Sequence, residues 1–336
     1  MFFQIPTTVA TLALCFLHHV YAFALKRQGS GNGCALFDKN GNLALFSTTG
    51  IRFLGSTPTS WSTQVSYSSN GLPAPSSNLI CLSCFYLNSA LFINADVNSP
   101  STIYKFNFDS QQWSTITTSG ISPNSNSMGA AIDFDTLVIY AFSDGRMVRL
   151  GDAGDNNLKN NPSTLEWVDA NVNSVAFLDA AVYQPTMAHG WINMYFFGVP
   201  GTMGGEVWGY RIHYNEWGLA PQPVGATFPC IHGKTATFTY KDLAEFEHDG
   251  APSHIAYIPD DYSGLWVVDS YVNQTFALPA PPKEGTSGAT MYAASQSILI
   301  QYTPESDMLR HIDLTDILIR KESGSLASWV QVGGRK

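Results

Sequence analysis

An all-β chain of six similar four-stranded units is the fold this sequence predicts, on three observations. The first is a repeated motif: Ile103 to Trp113 is an alternating strand, a polar turn and a tryptophan that opens the next strand, and Val207 to Trp217 repeats it. The second is the beat. Trp61, Trp113, Trp167, Trp217, Phe276 and Trp329 stand 52, 54, 50, 59 and 53 residues apart, and a period of about fifty marks a repeat architecture. The third is composition: charged residues are only 13% of the 336, with 28 glycines, a mixture suited to short strands joined by turns. Six such units closed in a ring make a six-bladed β-propeller, in which each unit is covered by its neighbours. The aromatics are then core wedges between adjacent blades.

Taken in order, the first unit reads as strands at Cys34–Asp38, Leu43–Phe46, Ile51–Leu54 and Trp61–Tyr67. Lys39-Asn-Gly-Asn42 is its first turn, because Asn-Gly tolerates the positive φ of a tight hairpin. The second unit has strands at Leu79–Leu87, Ala90–Asn94, Ile103–Phe108 and Trp113–Thr118. The third has Met128–Phe134, Leu137–Ala141, Met147–Leu150 and Leu165–Asp169, with a polar insertion at Gly151–Thr164. The fourth has Val175–Tyr183, Ile192–Phe197, Glu206–Ile212 and Trp217–Ala220. The fifth has Thr235–Tyr240, His254–Ile258, Leu265–Asp269 and Gln274–Leu278, with a charged excursion at Asp242–Pro252. The sixth has Ala289–Ala293, Ser297–Tyr302, Met308–Leu314 and Trp329–Val332, with a short helix within Leu314–Glu322. Residues 34–336 are thus read as one propeller. Its ring closes by face-to-face packing or by an outer strand donated from residues 23–33.

Ahead of it, the first 25 residues carry no Lys, Arg, Asp or Glu, with an apolar core at Val9–Leu17. Residues 1–24 are read as a secretory signal peptide, too short in its apolar run for a bilayer span. Lys26-Arg27 is a candidate processing site. Cys15 leaves with the leader, so Cys34, Cys81, Cys84 and Cys230 remain, an even set for an oxidising compartment. Cys81 and Cys84 lie three apart in one strand, on opposite faces, so Cys34 with Cys81 or with Cys84 is the expected bridge. The alternative is that these thiols stay free and buried.

The pattern Tyr104, Phe106, Phe108, Asp109 and Trp113, matched around Trp217, resembles the kelch repeat family. The resemblance spans the chain by period, with two repeats matching closely. It implies the propeller, although the family's Gly-Gly doublet after the second strand is absent here and Gly198 is a partial trace.

In such a ring the loops joining strands two to three and four to one share one face, and loops on a rigid scaffold commonly hold the function. The ligand-binding residues expected there are Asp144, Arg146, His232, Asp260, Asp261, Tyr262 and Asp307. Asn273-Gln-Thr is a glycosylation sequon on the opposite face. The net charge of −9 and the lack of a basic stripe exclude nucleic acid as the main partner. The expected function is a secreted, monomeric, non-catalytic module, without metal or cofactor, that recognises a glycan or an extracellular protein. The alternative is an enzyme with its site at the ring axis. Secreted fungal copper-radical oxidases are similar in using kelch-like blades, and that resemblance implies two histidines, two tyrosines and a cysteine around copper. None of His189, His213, His232, His248, His254 and His311 sits in the Tyr-His dipeptide that family uses. Paired carboxylates among Asp144, Asp260 and Asp307 would instead suit a carbohydrate-active enzyme.

Overall fold

The computed structural model describes residues 33–63, 65–154, 156–170, 183–199, 206–214, 216–219, 228–229, 231–238, 254–272, 274–283, 290–318 and 327–332. The expected leader, Cys230 and Asn273 lie outside the described residues. The strands are β1 (Gly33–Phe37), β2 (Leu43–Ser47), β3 (Gly50–Leu54), β4 (Val65–Ser68), β5 (Ile80–Cys84), β6 (Ser89–Ile93), β7 (Thr102–Asn107) and β8 (Gln112–Gly120). They continue as β9 (Gly129–Ile132), β10 (Ile139–Ser143), β11 (Arg146–Leu150), β12 (Thr164–Asp169), β13 (Thr186–Gly190), β14 (Asn193–Phe197), β15 (Trp208–Arg211) and β16 (Glu216–Leu219). The last are β17 (Gly233–Phe238), β18 (His254–Pro259), β19 (Leu265–Asp269), β20 (Gln274–Leu278), β21 (Met291–Ser295), β22 (Ile298–Thr303), β23 (Met308–Asp313) and β24 (Val330–Gln331). Among the described residues a short helix, α1 (Thr315–Leu318), precedes β24.

Each successive group of four strands is an antiparallel meander. The first hairpin shows why the sequence turns where it does. Asp38 Oδ1 accepts the backbone N–H groups of Asn40 and Asn42, both at 2.8 Å, and Gly41 takes φ +79°. The first strands of the units neighbour one another in series, β1, β5, β9, β13, β17 and β21, and β21 lies against β1. Among the described residues a hydrophobic cluster fills each junction between neighbouring units. This explains the burial pattern. Strands β1, β6, β10, β13 and β18 are buried along their whole length, because a sheet lies on both sides of them. The outer strand β8 alternates between buried and exposed positions at its centre.

Two junctions carry more than packing. Cys34 and Cys81 form a disulfide between β1 and β5, one of the two pairings expected, and Cys84 is free and buried. At the next junction, β8 and β12 pair in parallel, Thr117 to Gly120 against Thr164 to Trp167, and merge units two and three into one eight-stranded sheet. Gly120 permits this at φ +81°, since a Cβ there would meet the Trp167 carbonyl.

The structure shifts several expected elements. The sheet of unit four begins at Thr186–Gly190, and residues 175–182 of the expected Val175–Tyr183 strand lie outside the described residues. The apolar Val-Ala-Phe-Leu run carries the stronger strand signal, whereas Thr-Met-Ala-His-Gly is weak in β-formers. What the latter has is small residues where neighbours crowd: a Cβ on Gly190 would meet Ile255 and Ser270. Strand β10 begins at Ile139 rather than Leu137, because Leu137 sits at φ +57° in a turn and donates its N–H to Asp133 O. Trp61 lies in a 3-10 turn, Ser60–Ser62, ahead of β4, and Trp329 precedes β24. Phe276 faces the junction of units five and six. Trp113, Trp167 and Trp217 each face the preceding unit. At the corresponding junction of units four and five, Trp266 of β19 packs with Phe228 and Tyr257.

Candidate functional site

The face made by the two-to-three and four-to-one loops carries two sets of polar and aromatic groups, one at the junction of units five and six and one at the junction of units six and one. The register of β17 on β18 pairs Gly233 with Pro259, so His232 and Asp260 stand opposite one another beyond the strand ends. His232 Nδ1 and Asp260 Oδ2 are 2.6 Å apart, and the Asp260 backbone N–H donates to His232 O. Asp261 accepts from Ser263 N and shapes the turn. Tyr262, at φ +59°, points its hydroxyl at Thr290 Oγ1 of unit six (3.3 Å). Lys234 Nζ donates to Thr290 O. Burial pulls the Lys234 ammonium below the usual lysine range, and Asp260 opposes that pull. Lys283 Nζ stands 6.0 Å over the Tyr262 ring.

Unit six adds contacts at both of its junctions. Tyr292 hydrogen-bonds Tyr262, and burial, followed by Tyr262, drives its phenol well above the usual range. Gln301, 1% exposed, donates to Pro282 O at 2.8 Å. One residue on, Tyr302 donates its hydroxyl to Asp307 Oδ1 (3.0 Å), which also accepts Arg52 Nη1 of unit one at 2.6 Å. The Arg52 guanidinium lies 5.2 Å over the Tyr302 ring. Burial pushes the Tyr302 phenol up to about 12, with Arg52 pulling it down and Asp307 pushing it further up.

Across the same face, a pocket of about 340 Å³ opens between units two and three. Ile93, Ile103, Met128 and Trp167 supply its buried apolar lining. Two of the expected ligand residues lie on this side. Asp144 accepts Ser127 Oγ at 3.0 Å and Asn124 Nδ2 at 3.4 Å, and so holds the loop that borders the pocket. Arg146 is the exposed first residue of β11, opposite Ser143. The structure therefore gathers His232, Asp260, Asp261 and Tyr262 on unit five, ties Asp307 to Arg52 at the junction of units six and one, and leaves Asp144 and Arg146 on unit three.

Sequence reasoning passed over two buried His–Asp pairs at the opposite ends of the strands. His189 Nε2 is 3.5 Å from Asp133 Oδ1, and His254 Nε2 is 3.2 Å from Asp269 Oδ2. Burial holds His189 below the ordinary imidazole value, opposed by Asp133 and reinforced by His213. The first pair joins different units, so only the fold makes it visible, whereas the second sits at facing ends of the β18–β19 hairpin. Among the described residues, no three His, Cys, Asp or Glu side chains group as metal ligands would, and no helix is long and apolar enough to cross a membrane.

No family model matches this sequence, and no curated protein matches it. Solved structures do. A chain from the crystal structure of a nidogen/laminin complex aligns over 82% of this chain and 89% of its own, at 12% identity and a TM-score of 0.50. The fold is β-propeller-like. PorZ, an essential bacterial surface component of the type-IX secretion system of Porphyromonas gingivalis, aligns over 88% of this chain and 31% of its own, at 10% identity and a TM-score of 0.48. The charged groups lie on units five, six and one, and the pocket lies between units two and three.

Proposed function

We propose that this chain is a secreted, monomeric six-bladed propeller of kelch type, acting as a non-catalytic binding module. Its ligand is a glycan or an extracellular protein surface, held on the face of the two-to-three and four-to-one loops. The observation that carries the reading is the pair of contact groups on this face: His232 with Asp260 and Tyr262 with Thr290 at the junction of units five and six, and Tyr302 with Arg52 on Asp307 at the junction of units six and one. Together they place acidic, basic and aromatic groups from three units on one face. Such groups on a rigid scaffold serve recognition, by orienting a partner and giving specificity. The Cys34–Cys81 disulfide supports an oxidising compartment. The nidogen/laminin likeness supports the propeller shape alone.

The test is binding of the labelled full chain to a glycan array and to a panel of extracellular matrix proteins, repeated with Asp260→Ala/Asp307→Ala. The expected result is at least one specific ligand whose binding falls about tenfold in the double variant, as loss of paired charges at an interface predicts. Stoichiometric copper in the purified protein, together with oxidation of a sugar or alcohol, would overturn the non-catalytic reading.

A further inference from the structure

We infer that the pocket between blades two and three is the sugar subsite of this module, and that it takes one uncharged pyranose residue at the end of a glycan. The inference rests on the binding-module reading and deepens it.

The pocket's chemistry selects the ligand class. No Asp, Glu, Lys, Arg or His is among its lining residues, although the chain carries 43 Lys, Arg, Asp and Glu residues (17 basic, 26 acidic). A carboxylate, phosphate or ammonium brought there would lose its water with no opposite charge to replace it. The floor is apolar, while the mouth carries Ser101, Ser122, Asn124 and Ser125. An apolar side chain of a peptide would leave the serine hydroxyls of that rim unused and partly desolvated. A neutral pyranose has the matching surface: a C–H face for the floor and a ring of hydroxyls for the rim. The volume of about 340 Å³ falls at the small end of ligand pockets, suited to one sugar unit rather than a long chain.

The walls are held before any ligand arrives. Asn94 Nδ2 of blade two donates to Ser125 O in the loop leading to blade three, at 3.0 Å. Asn78 Nδ2 donates to Ser125 O and Met128 O, at 2.7 and 3.1 Å. On the outer side, Thr118 gives both its N–H and its hydroxyl to Ser101 O. Beyond it, the parallel pairing of β8 with β12 fixes the blades to each other. Loops tied across the junction in this way need little ordering on binding. The committed groups, Asn94 Nδ2 and the Thr118 hydroxyl, build the walls, and the serines at the mouth face the ligand.

The experiment titrates the full chain with maltose, cellobiose, lactose and N,N′-diacetylchitobiose, with sialyllactose as a charged comparator, by calorimetry and saturation-transfer NMR. Wild type is compared with Ser101→Phe and Ser122→Phe, two exposed positions where an added ring fills the mouth without touching the core, and with Lys39→Ala, an exposed turn position of unit one on the opposite face. The inference predicts that a neutral disaccharide binds, weakens about tenfold or more in both phenylalanine variants, and is unchanged in Lys39→Ala. Equal binding by the filled variants would overturn it while leaving the module reading in place. Binding by none of the neutral sugars would also overturn it, and the array of glycans and matrix proteins would then decide the module reading separately. Turnover of a bound sugar would sink the module reading, and the phenylalanine variants would still locate the site.

Discussion

Beyond the apolar packing common to every junction, units two and three are tied by backbone pairing, whereas units five, six and one are tied by side-chain contacts. At the first junction four residues of β8 pair with four of β12 in a fixed register. At the others, Lys234 reaches Thr290 O, Tyr262 reaches Thr290 Oγ1 and Arg52 reaches Asp307. Backbone pairing ignores protonation and is barely touched by salt. Exposed charged pairs are screened by salt and depend on which groups are ionised. The molecule thus places a stiff, uncharged pocket on one side of its face and an adaptable, salt-sensitive surface on the other.

The sharpest way to break this comparison is to attack a junction held by aromatic packing. Phe142 is fully buried between blades three and four, against Tyr183, Phe196 and Trp217. Phe142→Ala is expected to cost about 3–5 kcal/mol in urea unfolding. A loss under about 1 kcal/mol would show that packing does not hold that junction. Next is the covalent staple. Cys34→Ser, or reduction of the native protein, is expected to cost about 2–4 kcal/mol, with the two treatments agreeing.

A pH series gives a third, smaller effect at the junction of blades three and four. His189 binds its proton less readily when folded than when unfolded, because it is buried, with Asp133 and His213 as its charged neighbours. The unfolded chain therefore holds more protons below the ordinary value of 6.5, and stability rises with pH. The contribution is fully present above that value and is lost as pH falls below it. His189→Gln should flatten the midpoint of thermal unfolding between pH 7 and 5. An unchanged slope would exclude His189 as the group responsible. The smallest effect belongs to Asp307→Ala. Asp307 is 59% exposed, so losing its contact with Arg52 should cost less than about 1 kcal/mol, and less still at high salt.

The strand-and-turn rhythm was legible because it is local. Alternation in Ile103 to Phe108 and the Asn-Gly turn at 40–41 are decided within a few residues. The Cys34–Cys81 bridge was legible as one of two choices, since both cysteines hold the same place in consecutive units. Strand β13 was not, because Thr-Met-Ala-His-Gly is shaped by the neighbours it must fit rather than by its own β preference. On the candidate site, the sequence pointed to His232, Asp260 and Tyr262 through their loops. It could not point to Arg52, a mid-strand residue that meets Asp307 across 255 positions. Nor could it find the pocket, whose lining joins Thr118 of β8 and Trp167 of β12 across the junction of two units. No residue-level pattern marks that parallel pairing.

That same pairing has a consequence for solubility. An unpaired outer strand offers a row of free N–H and C=O groups onto which another chain can add. Strands β4, β16, β20 and β24 are 4, 4, 5 and 2 residues long, too short to make good templates. Strands β8 and β12, at 9 and 6 residues, are the longer hazards, and each shields part of the other. The molecule hides its most adhesive borders by pressing them together.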